Sequence, residues 1–172
     1  MASPEFIRLS LERAVDTVTM RPSRGQRTYS NVASIGEGTR CRVVEHHDDL
    51  LIDIPKSIGG EGEGPSPSMI LRSAISSCIA IGIKQWAARH DVPVERVDVT
   101  IETDVDARGQ LGVCDDIAPG FLGMRLLITV HSAADPDVVD NIVRKSLRYS
   151  PLMDVLARSQ SVETRLELAQ PA

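Results

Sequence analysis

The stretch Gly59-Gly60-Glu61-Gly62-Glu63-Gly64-Pro65-Ser66-Pro67-Ser68 runs directly into Met69-Ile70-Leu71-Arg72-Ser73-Ala74-Ile75-Ser76-Ser77-Cys78-Ile79-Ala80-Ile81-Gly82-Ile83-Lys84-Gln85-Trp86-Ala87-Ala88-Arg89-His90, and its reading decides the fold. Ser66 followed by Pro67 is a helix start. The serine hydroxyl can accept from the free N–H groups of the first turn, and proline at the first helical position gives up a donor that had no partner there. From Met69 to Ala88 the residues are mostly apolar or small, interrupted by Arg72, Ser73, Ser76, Ser77, Lys84 and Gln85. A helix apolar around most of its circumference belongs in the middle of a fold. Pro93 disfavours helical geometry in the residue before it, which sets the end near His90-Asp91.

Upstream, Thr28 to Ser34 and Thr39 to Glu45 read as strands around the turn Ile35-Gly36-Glu37-Gly38, and Leu50 to Ile54 reads as a third after His46-His47-Asp48-Asp49. Still earlier, residues 4 to 19 carry Ile7, Leu11, Ala14, Val15 and Val18 at helical spacing behind Ser3-Pro4. Met20 to Gln26 reads as a linker, so residues 1–27 form a helical extension and 28–172 the main domain.

Downstream, Val97 to Val105 alternates apolar and polar residues, the pattern of a half-buried strand. Asp106 to Pro119 is turn-rich, and Leu122 to Val130 is a second strand with Met124, Leu126, Ile128 and Val130 on one face. These two strands pair as an antiparallel hairpin with a long loop. A helix follows from Asp135-Pro136 to about Arg148, a short one begins at Ser150-Pro151 and runs to Ala157, and Val162 to Leu168 reads as a last strand. Strands first, then a buried helix, a strand pair and further helices predict an α+β fold with mainly antiparallel sheet. The glycine loop lacks the Lys-Ser/Thr ending of a phosphate-binding loop.

Composition narrows the function. The chain has 172 residues and a net charge of −5, so a sequence-independent grip on nucleic acid is not expected. No apolar run is long enough to span a membrane, and the start lacks a basic-then-apolar leader pattern, so a soluble cytoplasmic protein without membrane partners is expected. The three cysteines, Cys41, Cys78 and Cys114, are widely spaced and suggest neither a disulfide framework nor a zinc site. No metal or other cofactor is expected. His46-His47 beside Asp48-Asp49 reads as a polar turn, because neighbouring residues in a strand point to opposite faces. Trp86 reads as core, and Glu61 and Glu63 as loop solvation.

The glycine loop, Ser77-Cys78 inside the apolar helix, and Tyr149-Ser150-Pro151-Leu152 before a short helix together resemble the OsmC/Ohr proteins (osmotically inducible protein C and organic hydroperoxide resistance protein), over roughly Thr28 to Leu168. The resemblance implies an intertwined homodimer in which antiparallel sheet wraps around two central helices, with paired sites at the interface. It also implies a thiol peroxidase. In such an enzyme a first cysteine attacks a peroxide, a second closes a disulfide, and an arginine and a glutamate assist.

Cys78 matches the attacking cysteine. The second cysteine's position is Ser150, and the glutamate's position, ten residues before Cys78, is Ser68. The arginine comes from the first strands, where Arg40 and Arg42 flank Cys41, and the choice between them is open. Two functions follow. One is a one-cysteine peroxidase in which Cys78 reduces an organic hydroperoxide and an external thiol completes the cycle. The other is a non-catalytic dimer holding a small apolar ligand at the subunit interface, with Cys78 a buried apolar residue on the stripe Leu71, Ala74, Ile75, Cys78. Cys78 lies too deep in its helix for the dipole to act on it, so a cation such as Arg40, Arg42 or Arg72, or a group of the partner chain, would have to activate it. Hydrolysis by Ser150 or Ser68 with a histidine has no serine-elbow motif behind it.

Overall fold

The computed structural model describes residues 2–169. Helix α1 spans Pro4–Met20 and is capped by Ser3. Three antiparallel strands follow, β1 (Val32–Ile35), β2 (Cys41–Glu45) and β3 (Asp48–Ile52), in the order β1-β2-β3. The central helix α2 spans Pro67–Arg89, and its first turn is closed by Met69 N–H donating to Ser66 Oγ at 3.3 Å. Then come β4 (Arg96–Asp104), a single turn α3 (Ala107–Gln110), β5 (Gly123–His131), α4 (Pro136–Arg148) and α5 (Pro151–Ala157). β4 and β5 pair antiparallel from Arg96↔His131 to Asp104↔Gly123, forming the expected hairpin.

The core forms around α2. Ile75, Ile79 and Ile83 are spaced one turn apart and are 1%, 0% and 0% exposed, so one line of the helix is fully dry. The inward face of the hairpin, Val97, Val99, Ile101, Met124, Leu126, Ile128 and Val130, packs against this line, as does Ile142 of α4. Where α4 crosses, Gly82 lets the helices approach. A Cβ there would sit 2.6 Å from Ser146 Oγ, whose buried hydroxyl donates to Ile79 O at 3.3 Å.

Three strand expectations need correction. The first strand begins at Val32 and not Thr28, because β2, its one partner among the described residues, ends at Glu45 and Val32 already faces Val44. The third covers Asp48–Ile52, because the hairpin turns on His46-His47 alone, with His46 at φ 52°, and Glu45 pairs with Asp48. Val162 to Leu168 forms no strand. Among the described residues no strand pairs with it, and Val162, Leu166 and Leu168 are 82%, 80% and 89% exposed.

Asp53, at the exit of β3, ties the glycine loop down. Its carboxylate is 1% exposed and accepts from Thr39 Oγ1 at 2.7 Å and from the N–H groups of Ile54, Glu61 and Glu63 at 2.8, 3.0 and 3.2 Å. The loop therefore folds back on β3. A Cβ on Gly60 would lie 1.8 Å from Ile54 O, and one on Gly64 would lie 2.4 Å from Leu51 O. The hydrogen bond from Thr39 and then the three backbone donors hold the Asp53 carboxyl far below the usual carboxylate range.

A carboxyl depressed in this way adds stability that is complete above the unfolded pKa and shrinks as pH falls below about 4. Asp53→Asn is expected to speed amide exchange at Glu61 and Glu63 about tenfold or more at neutral pH, since an amide nitrogen would then face backbone donors. It should also flatten the loss of urea midpoint that the parent shows between about pH 5 and pH 3.

Candidate functional site

Cys78 lies midway along α2, half-buried, on the side facing α4 and the start of α5. Its sulfur is 3.4 Å from Ser150 Oγ, across 72 residues of sequence. Ser150 is 5% exposed and also caps α5, accepting from Met153 N–H at 3.3 Å. With that lone pair occupied by the cap, the hydroxyl proton is free to point at the sulfur whenever the thiol has lost its own proton. A cavity of about 280 Å³ opens beside the pair, lined among others by Gly82, Trp86, Ser146 and Tyr149.

The structure thus brings Cys78 and Ser150 together and leaves the other candidates apart. Ser68 lies in the first turn of α2 with its hydroxyl 3.2 Å from Ser66 Oγ, about 15 Å along the helix from Cys78 at 1.5 Å per residue. It lines a different, larger cavity of about 730 Å³, together with Arg72. Arg72 donates to Thr103 Oγ1 at 3.5 Å. Arg40 pairs with Glu61 and Glu63, both at 3.1 Å, so these glutamates anchor the loop to β2's start and are not idle solvation. Arg42 clamps Asp49 with its Nε and Nη2 at 2.9 and 2.6 Å from one carboxylate oxygen. Neither arginine lines the Cys78 cavity, and neither do Cys41 or Cys114.

Trp86 is only half core. It packs against the apolar cluster but also lines the cavity, with Tyr149 tilted against it at 5.2 Å and His90 stacked on it at 5.8 Å. Burial first, then Lys145 and Arg89, push the His90 imidazole below its ordinary pKa. Sequence reasoning missed this cluster and Asp53. The available signal for Asp53 was an acid closing the apolar run Leu50-Leu51-Ile52 just ahead of a glycine loop.

No curated protein matches the chain in sequence. Solved structures do match its fold. An OsmC-like protein from Mycoplasma pneumoniae has 14% identity and a TM-score of 0.65, covering 78% of this chain and 90% of that one. An organic hydroperoxide resistance protein OsmC from Legionella pneumophila has 20% identity and a TM-score of 0.57, covering 76% and 91%. The organic hydroperoxide resistance protein OhrB of Bacillus subtilis has 14% identity and a TM-score of 0.51, covering 77% and 92%. The family profile described as OsmC-like protein matches residues 60–165, from the glycine loop through α2, the β4–β5 hairpin, α4 and α5. With that match over more than half of its length, the chain belongs to the OsmC-like protein family and has the OsmC-like α+β fold.

Proposed function

We propose that this chain is a one-cysteine thiol peroxidase that reduces organic hydroperoxides through Cys78, with an external thiol as reductant, and that it works as a homodimer. The observation that carries the proposal is the placement of the Cys78 sulfur at a cavity wall, 3.4 Å from the Ser150 hydroxyl. The Cys78 thiolate attacks the outer peroxide oxygen and the O–O bond breaks. The alkoxide leaves and takes a proton, giving an alcohol and a Cys78 sulfenic acid. Two of the structural relatives are named for organic hydroperoxide resistance, which supports the same direction.

Homodimer formation is supported by apolar surface that a single chain leaves wet. Ile81 on α2 is 58% exposed, and Val32, Ile35 and Leu50 in the β1–β3 sheet are 66%, 59% and 49% exposed. A second copy laid over α2 would cover such surface and could supply a cation to Cys78.

The non-catalytic alternative, a dimer holding a small apolar ligand, is favoured by the absence of any arginine among the residues lining the Cys78 cavity. One experiment separates them. Folded protein treated with one equivalent of cumene hydroperoxide and dimedone should carry a single adduct, at Cys78 by mass spectrometry, and Cys78→Ser should abolish peroxide consumption. Absence of the adduct, or adduct formation equally fast in unfolded protein, would leave the ligand-binding reading in place.

A further inference from the structure

Three cations lie against the two aromatic rings that line the Cys78 cavity. The Arg89 guanidinium carbon lies 5.2 Å from the centre of the Trp86 ring, Lys145 Nζ lies 5.8 Å from it, and the Arg148 guanidinium lies 5.5 Å from the Tyr149 ring. Both rings line the cavity. The nearby carboxylates are taken by other arginines: Asp91 by Arg8 at 3.5 Å, Asp140 by Arg144 at 2.6 Å, and Asp154 by Arg158. Among the described residues, Arg89, Lys145 and Arg148 have no carboxylate partner within 4.0 Å. The remaining neighbour, His90 Nε2, lies 3.1 Å from Lys145 Nζ, and a histidine carries no negative charge with which to cancel the ammonium.

Placement in the last turns of α2 and α4 accounts for cations there, since helix C-termini favour positive charge. It does not account for their convergence on the two rings of one cavity, in a chain whose net charge is −5. Cations without carboxylate partners beside a cavity draw in anions at a rate that falls with salt.

We infer that these cations rim the cavity mouth and select the reductant of the Cys78 cycle, a small thiol carrying a carboxylate, whose thiol arm enters the cavity while its anionic end stays among Lys145, Arg89 and Arg148. The inference rests on the reading of Cys78 as the oxidised thiol. It answers a need created by Ser150, which stands beside Cys78 and cannot form a disulfide. A first thiol attacks the Cys78 sulfenic sulfur, the S–O bond breaks, an S–S bond forms, and the hydroxide leaves as water with the thiol's proton. A second thiol attacks this mixed disulfide, releasing the small-molecule disulfide and returning Cys78 to the thiol. The two thiols together supply the two electrons that the peroxide removed.

The test oxidises the full chain with one equivalent of peroxide at low salt and then adds mercaptopropionate, mercaptoethanol or cysteamine, which are anionic, neutral and cationic. Resolution at Cys78 is followed by mass spectrometry and corrected for thiolate fraction. The anionic thiol should act about tenfold faster than the neutral one, and the cationic thiol slowest. Lys145→Gln combined with Arg148→Gln should bring the three rates together. The same charge preference is readable without peroxide, as faster modification of Cys78 by a dianionic bis(nitrobenzoate) disulfide than by neutral dipyridyl disulfide. Equal rates for the charged and neutral reagents, a preference that survives the double substitution, or no reaction of Cys78 with either disulfide in the folded protein overturns the inference. A missing sulfenic acid with an intact preference for the anionic disulfide overturns the peroxidase and its reductant cycle but leaves the anion-selecting mouth established.

Discussion

Ser150→Cys is expected to convert the cycle into a two-cysteine one, closing a disulfide between Cys78 and the introduced thiol after one equivalent of peroxide. The Cys78 sulfur already lies 3.4 Å from the atom to be replaced. Closing that gap to a bonded S–S distance needs about 1.4 Å of side-chain movement. The introduced thiol sits at the start of α5, a helix of only 7 residues that can shift to accommodate it. The closed loop of 72 residues should stabilise the oxidised variant over its reduced form by about 4 kcal/mol. At this chain length that corresponds to a melting temperature higher by about 8–16 °C. The reduced variant should sit about 1 kcal/mol below the parent, because a thiol replaces the cap of α5. Intact mass and thiol titration read the outcome. A disulfide that forms with diamide but not with peroxide would mean that Cys78 is well placed and unreactive. No disulfide with either oxidant would mean that the two side chains do not face each other.

Ile79→Ala is expected to cost about 3 kcal/mol, within the 2–5 kcal/mol range for emptying a dry aliphatic site. Ile79 is 0% exposed, with Ile75 and Ile83 one turn to either side and the β4–β5 hairpin against them, so collapse around a cavity is restrained from several directions. The melting temperature should fall by about 6–12 °C. Ile81, two residues away and 58% exposed, is the matched control. Ile81→Ala should change the stability of a dilute chain by no more than about 0.5 kcal/mol. If a second copy covers that face, its effect should instead grow with protein concentration. Equal and concentration-independent losses at both positions would contradict a one-sided burial of α2.

Much of the fold is legible in the sequence because its signals are local. Ser66-Pro67 and Pro93 bracket α2, whose observed span is Pro67–Arg89, and the period-two pattern of Val97 to Val105 predicts β4 to within a residue at each end. The failures share one cause, the dependence of a segment on distant backbone. Val162 to Leu168 has the alternation of a strand but, among the described residues, is paired with neither sheet. Thr28 to Asn31 extends past the end of β2. The site divides along the same line. Cys78 and Ser150 are both picked out by the resemblance; the place of Cys78 in the helix alone reads equally well as a buried apolar position. The commitment of Arg40 to Glu61 and Glu63 joins residues more than twenty positions apart and has no periodic signature. The same holds for the cations gathered over Trp86 and Tyr149, which come from two different helices.

The three-stranded and two-stranded sheets have a practical consequence for handling the protein. In a single chain both sheets end in open edges among the described residues, and the smaller faces carry exposed valine, isoleucine and leucine. Open edges with apolar neighbours are templates for indiscriminate strand addition. If the proposed homodimer covers these surfaces, substitutions that only pry its copies apart should therefore yield precipitate before they yield a well-behaved monomer. Solubility screening, with lysine placed on the outer edge of β1 or β3, belongs at the start of any attempt to study one chain alone.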